Sequence, residues 1–144
     1  MISADPRVRE QMALVGRSAR RGTGAAADER FELLQAADGV RGIALAWQRR
    51  PDVVVADEIT SRAGAFAVAR DLKGADPPFR GQVIILLDRE VDSWLARWAG
   101  ADAWFVKPVD PFVLAEAMGG FARHDVAPAP RTEGVTEAVA KEAG

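Results

Sequence analysis

The sequence predicts an α/β domain built on a single doubly wound parallel sheet. Short apolar runs of strand length recur along the chain: Val53-Val54-Val55-Ala56, Val83-Ile84-Ile85-Leu86-Leu87 and Ala103-Trp104-Phe105-Val106. They are apolar at every position instead of every second one, as strands covered on both faces are. Between them lie segments with apolar residues at helical spacing. Strands that alternate with helices form parallel sheets with helices on both sides.

Taken in order, residues 1–10 are polar and read as a flexible N-terminus. Met12-Ala13-Leu14-Val15, stopped by Gly16, reads as the first buried strand. The stretch after it holds Gly22 and Gly24, each costing a helix about 1 kcal/mol relative to Ala, so a shortened first helix is expected. Phe31-Glu32-Leu33-Leu34 reads as an edge strand and Asp38-Gly39 as a turn. Residues 40–50 place Val40, Ile43, Ala44 and Trp47 on one helical stripe, and Pro51-Asp52 ends it. The strand that follows delivers Asp57. Residues 63–73 read as a helix, the next strand delivers Asp88, and residues 91–99 form a helix stopped by Gly100. After the last strand and Lys107-Pro108, Asp110 caps a helix with Pro111 at its first position. The domain is expected over 11–123, with 124–144 a flexible tail in which 132–141 could form a helix against a partner.

Composition excludes several classes. The net charge of −2 argues against a nucleic-acid partner, which calls for a basic face. No cysteine is present, so disulfides and thiol chemistry are excluded, and His124 alone makes no multi-histidine metal site. No apolar run approaches a membrane span and the N-terminus lacks a signal-peptide core, so a cytoplasmic protein is expected. Gly22-Thr23-Gly24-Ala25-Ala26-Ala27 loosely fits a dinucleotide fingerprint, but it does not directly follow a strand. The pairs Arg20-Arg21 and Arg49-Arg50 read as solvated surface.

Ligands of such sheets bind beyond the carboxyl ends of the strands. Asp57, Asp88 and Lys107 all fall there. Around them, Pro51-Asp52-Val53-Val54-Val55-Ala56-Asp57 resembles the phosphoacceptor segment of bacterial response-regulator receiver domains, the CheY-like family. Ala101-Asp102-Ala103-Trp104-Phe105-Val106-Lys107-Pro108 resembles that family's closing strand and Lys-Pro, and Ala36-Ala37-Asp38-Gly39 its turn after the second strand. The resemblance implies a five-stranded flavodoxin-like sheet of order 2-1-3-4-5, with Asp57 as phosphoacceptor equivalent and Lys107 as the family lysine. It also implies an acidic pair ending the first strand to hold Mg²⁺, and a hydroxyl residue ending the fourth.

Those last features are missing. Gly16-Arg17 stand where the acidic pair is expected, no Asp or Glu occurs from Gln11 to Ala27, and Leu87 stands at the hydroxyl position. Ser61 also replaces the usual proline. A carboxylate attacking a phosphoryl dianion needs a cation to offset repulsion. Each unit charge pair at about 4 Å is worth about 4 kcal/mol at an effective dielectric of about 20. The expectation is therefore an atypical receiver, not an enzyme and without a Mg²⁺ cofactor, in which an Arg17–Asp57–Lys107 cluster holds one conformation. It would act in bacterial signal transduction through contacts with signalling proteins, or with a second copy as a homodimer. Trp94, Trp98, Trp104 and Phe112 are the candidate interface, since Trp is a preferred interface anchor. Two alternatives are a phosphoaccepting single-domain regulator, using Asp57 with a metal site rearranged through Glu58 and Asp88, and a small nucleotide binder.

Overall fold

Val53–Asp57 (β1), Gln82–Leu87 (β2) and Ala103–Val106 (β3) pair in parallel in the order β1-β2-β3. The computed structural model describes residues 1–22, 32–58 and 63–122. Residues 123–144, which include the expected tail, and Ser61 lie outside them. Val55 pairs with Ile84, Asp57 with Leu86, and Leu87 with Val106. The register therefore aligns the carboxyl ends of all three strands.

Successive side chains of a strand point to opposite faces, and both faces are packed. Val54, Ala56, Val83, Ile85, Leu87 and Trp104 join one core cluster. It is covered by α2 (Gly39–Arg49), α3 (Ala65–Lys73) and α4 (Ser93–Trp98), through Ala46, Leu72 and Ala96 among others. Val55, Ile84, Leu86, Ala103 and Phe105 join the other, under α1 (Pro6–Gly22) and α5 (Pro111–Ala122), with Met12, Leu114 and Met118. This is why the strand runs are apolar throughout.

The N-terminal region differs from the expectation in three ways. Residues 1–10 are not a frayed lead-in, because Ile2 and Ser3 are buried and Ile2 bridges in parallel to both Ala36 and Ala56. Its backbone N–H donates to Val55 O at 2.8 Å, and its carbonyl accepts from Asp57 N at 2.9 Å. The run Met12–Val15 is no strand but part of α1. That helix has 17 residues and is not shortened. The cause is local. Asp5 Oδ1 accepts from Arg7 N at 2.8 Å, with Pro6 at the first helical position, a strong helix start. Val8 and Met12, four apart, then pack into the core while Leu14 stays exposed.

The other helices start close to where the sequence places them. Asp38 caps α2 by accepting from Arg41 N at 2.9 Å, and Asp110 caps α5 by accepting from Phe112 N at 2.8 Å. The helix expected over 91–99 begins instead as a 3₁₀ turn, Glu90–Asp92, before α4. Gly100, at φ +86°, ends that segment in a left-handed conformation that suits glycine. Gly42 allows α2 to approach Ile2 closely, since a Cβ there would sit 2.3 Å from Ile2 Cδ1.

Candidate functional site

The aligned strand ends deliver a polar group each. Asp57 is the last residue of β1, Asp88 follows β2, Lys107 follows β3, and Ser3 follows Ile2. Asp57 is only 3% exposed, a placement that a carboxylate sustains only with strong partners. Lys107 Nζ lies 2.6 Å from Asp57 Oδ1 and 2.6 Å from Asp88 Oδ1. The Ser3 hydroxyl donates to Asp57 Oδ2 at 2.9 Å. One ammonium thus ties the ends of β1 and β2 to that of β3, and one hydroxyl ties in the N-terminal segment.

Glu58 completes the edge. Its Oε2 accepts from the Asp88 N–H at 2.6 Å, holding the loop that presents Asp88. Burial pushes the Glu58 carboxyl above the usual carboxylate range; the Asp88 N–H opposes this, and the charges of Asp92 and Asp88 add to it. For Lys107, burial alone would lower the ammonium's affinity for its proton. Its hydrogen bonds and charge attraction to Asp57 and Asp88 outweigh that and raise it.

Of the sequence-predicted pocket residues, Asp57 and Lys107 come together. Leu87 is fully buried in the core, and Asp88, one residue on, provides the polar group at that strand end. Gly16 and Arg17 are not at a strand end at all. They lie within α1, while Ile2 makes the parallel bridges beside β1. Ser3 and Ala4 follow Ile2, which bridges to Ala56 of β1, and Asp57 contacts Ser3 and Lys107. The side chain of Arg17 is not among the described ones. Sequence reasoning missed Ser3, although Asp5-Pro6 carries the same helix-start signal that located α5 at Asp110-Pro111.

The expected interface residues divide. Trp94, Trp98 and Phe112 are exposed at 61%, 58% and 80%. The Arg70 guanidinium of α3 sits 4.4 Å from the centre of the Trp98 ring, within cation–π range. Trp104, by contrast, is 3% exposed and packs in the core with Leu87, Ala96 and Ala99, so it is no surface anchor. Its Nε1 has no hydrogen-bond partner among the described residues.

A parallel sheet with α1 and α5 on one face, three helices on the other, and an aspartate–lysine pair at the carboxyl edge is the architecture of a receiver domain. Solved receiver domains share it. That of a signal transduction histidine kinase from Syntrophus aciditrophicus superposes with a TM-score of 0.68 at 20% identity, covering 89% of this chain and 95% of that one. The Vibrio cholerae chemotaxis protein CheY4 gives 0.64 at 19% identity, over 81% and 91%. The receiver domain of a Pseudomonas aeruginosa sensor histidine kinase, described with a magnesium ion coordinated in its active-site cleft, gives 0.65 at 17%, over 78% and 86%.

No family model matches the chain. Protein PilH of Pseudomonas aeruginosa is 33% identical over 89 residues, 60% of this chain and 74% of PilH. An uncharacterized response regulatory protein of Mycobacterium tuberculosis, in two strains, is 33% identical over 70 residues, 46% of this chain. The match spans about half the length of that relative (50%). With the shared fold, these matches establish that the chain belongs to the receiver-domain family of response regulators.

Proposed function

We propose that the chain is an atypical receiver that signals through protein contacts and does not depend on Mg²⁺-assisted phosphorylation of Asp57. Its sheet is read as five-stranded, order 2-1-3-4-5, with Ile2 marking a strand beside β1 and Ala36 the edge strand beyond it. The observation that carries the reading is Ser3. A divalent cation beside Asp57 needs hard anionic oxygen ligands. After the first strand this chain offers Ser3, whose neutral hydroxyl already donates to Asp57, then Ala4, with no donor. The Asp5 carboxylate caps α1. These residues do not fit the family's magnesium site.

Among the described residues no group of three His, Asp or Glu side chains could hold a metal, which also weighs against rearrangement through Glu58 and Asp88. We read the protein as a non-enzymatic cytoplasmic module, with no cofactor and with neither nucleic acid nor membrane as its partner. Among the described residues no helix is long and apolar enough to cross a membrane. Its partners are signalling proteins or a second copy, met on the face that exposes Trp94, Trp98 and Phe112.

The test is to incubate the full chain with acetyl phosphate and Mg²⁺ and weigh it intact. No phosphoryl adduct is expected. A stoichiometric adduct that disappears in Asp57→Asn would replace this reading with the phosphoaccepting one.

A further inference from the structure

The edge of the sheet contains an anion of its own. Lys107 Nζ contacts two carboxylates from two different strands, each at 2.6 Å. Asp57 is deeply buried, whereas the Asp88 side chain is about one-third exposed (34%) and reaches the ammonium from the solvent side. The loop that carries it is fastened from below by Glu58, through the Asp88 N–H. Asp88 therefore holds a position from which an incoming anion would otherwise meet the lysine.

We propose that Asp88 is a built-in anionic occupant of Lys107, which keeps the strand ends in one state whatever happens to the charge of Asp57. This rests on the reading above and adds its physical device. With Asp88 in place the ammonium always has a carboxylate partner. Neutralising Asp57 then leaves β3, and Trp104 three residues before Lys107, where they were.

The experiment follows the Lys107 ammonium protons and the Trp104 indole N–H by NMR in the full chain, comparing Asp57→Asn, Asp88→Asn and the double variant. Both substitutions keep side-chain shape, and Asp88 is exposed enough that its replacement leaves the core intact. In Asp57→Asn the ammonium is expected to stay protected and the indole signal to stay in place. In the double variant, exchange of the ammonium protons with water should rise at least about tenfold over either single variant, as for loss of the last charge-assisted hydrogen bond. Release of Lys107 by Asp57→Asn alone overturns the proposal, as does a double variant that behaves like Asp57→Asn. A phosphoryl adduct on Asp57 would sink the functional reading alone, since none of these outcomes depends on it.

Discussion

Replacing Ser3 by alanine tests whether its hydroxyl is a structural partner of Asp57. Ser3 is 0% exposed and Asp57 3%, so neither can exchange its partner for bulk water at no cost. The 2.9 Å bond ends on a carboxylate, and hydrogen bonds to charged groups contribute about 1.5–3 kcal/mol. The same oxygen accepts from the Asp5 N–H at 3.1 Å, at the turn into α1, adding about 0.5–1 kcal/mol. Ser3→Ala should therefore cost about 2–4 kcal/mol, a drop in Tm of roughly 5–15 °C for a domain of this size. Urea unfolding, with near-ultraviolet circular dichroism to verify native packing, measures it. A double-mutant cycle with Asp57→Asn should return a coupling of about 1–3 kcal/mol. A loss below about 0.5 kcal/mol with no coupling would mean that the hydroxyl does not hold the carboxylate, and the account of the site would fail.

Four further outcomes follow from the same contacts. Lys107→Met strips the ammonium from a buried carboxylate and should cost about 3–5 kcal/mol in urea unfolding. The folded Lys107 holds its proton above the ordinary value of 10.5, so its contribution is complete below that pH and is lost as pH rises through the higher folded value. The fall in stability above about pH 10.5 should accordingly be shallower in Lys107→Met than in the wild type. Glu58 acts in the same direction at the acidic end: its carboxyl is raised above 4.5 in the fold, so stability falls as pH climbs through the folded value. Glu58→Gln, which can still accept from Asp88 N–H, should flatten that acidic limb without lowering stability at neutral pH. Gly42→Ala drives a methyl into Ile2 and should cost about 1–3 kcal/mol by overpacking, read as a lower urea midpoint. Trp98→Ala should leave thermal stability within about 1 kcal/mol while weakening partner capture or self-association; unchanged binding and unchanged sedimentation would remove Trp98 from the interface.

The parts of the fold that were legible are those where one physical requirement dominates. β1, β2 and β3 are buried on both faces, so their central positions had to be apolar, and the runs stood out. Asp110-Pro111 announced α5 because a carboxylate cap and a fixed φ serve only one end of a helix. The pairing of Ile2 beside β1 stayed hidden because it rests on a single bridging residue, too short to show any period. The four-residue run Met12–Val15 imitated a strand, since consecutive apolar residues in a helix look the same until Leu14 proves exposed. That one misplacement put Gly16-Arg17, which lie within α1, at a strand end. The Asp5-Pro6 cap would have prevented it. Trp104 was a different kind of error. A strand covered on both sides leaves no residue facing water, so its own pattern argued against an exposed indole. Asp57, Asp88 and Lys107 were visible as strand-end groups, but their contacts depend on register, which no local pattern carries.

The electrostatics of the edge also bear on where regulation resides. An anion approaching Asp57 meets Asp88 and Glu58 nearby and a single ammonium engaged by two carboxylates. Each like-charge contact at about 4 Å opposes it by about 4 kcal/mol at an effective dielectric of about 20. The Lys107 contacts bind three strand ends together. What remains free to respond lies on the surface, where Trp94 and Phe112 present apolar area to solvent and Arg70 stacks on Trp98. Because that stacking already orders the indole, a partner docking there loses less side-chain entropy in forming the contact. If, as proposed, a partner docks on this face, substitutions at Asp57 and at Trp98 should act independently.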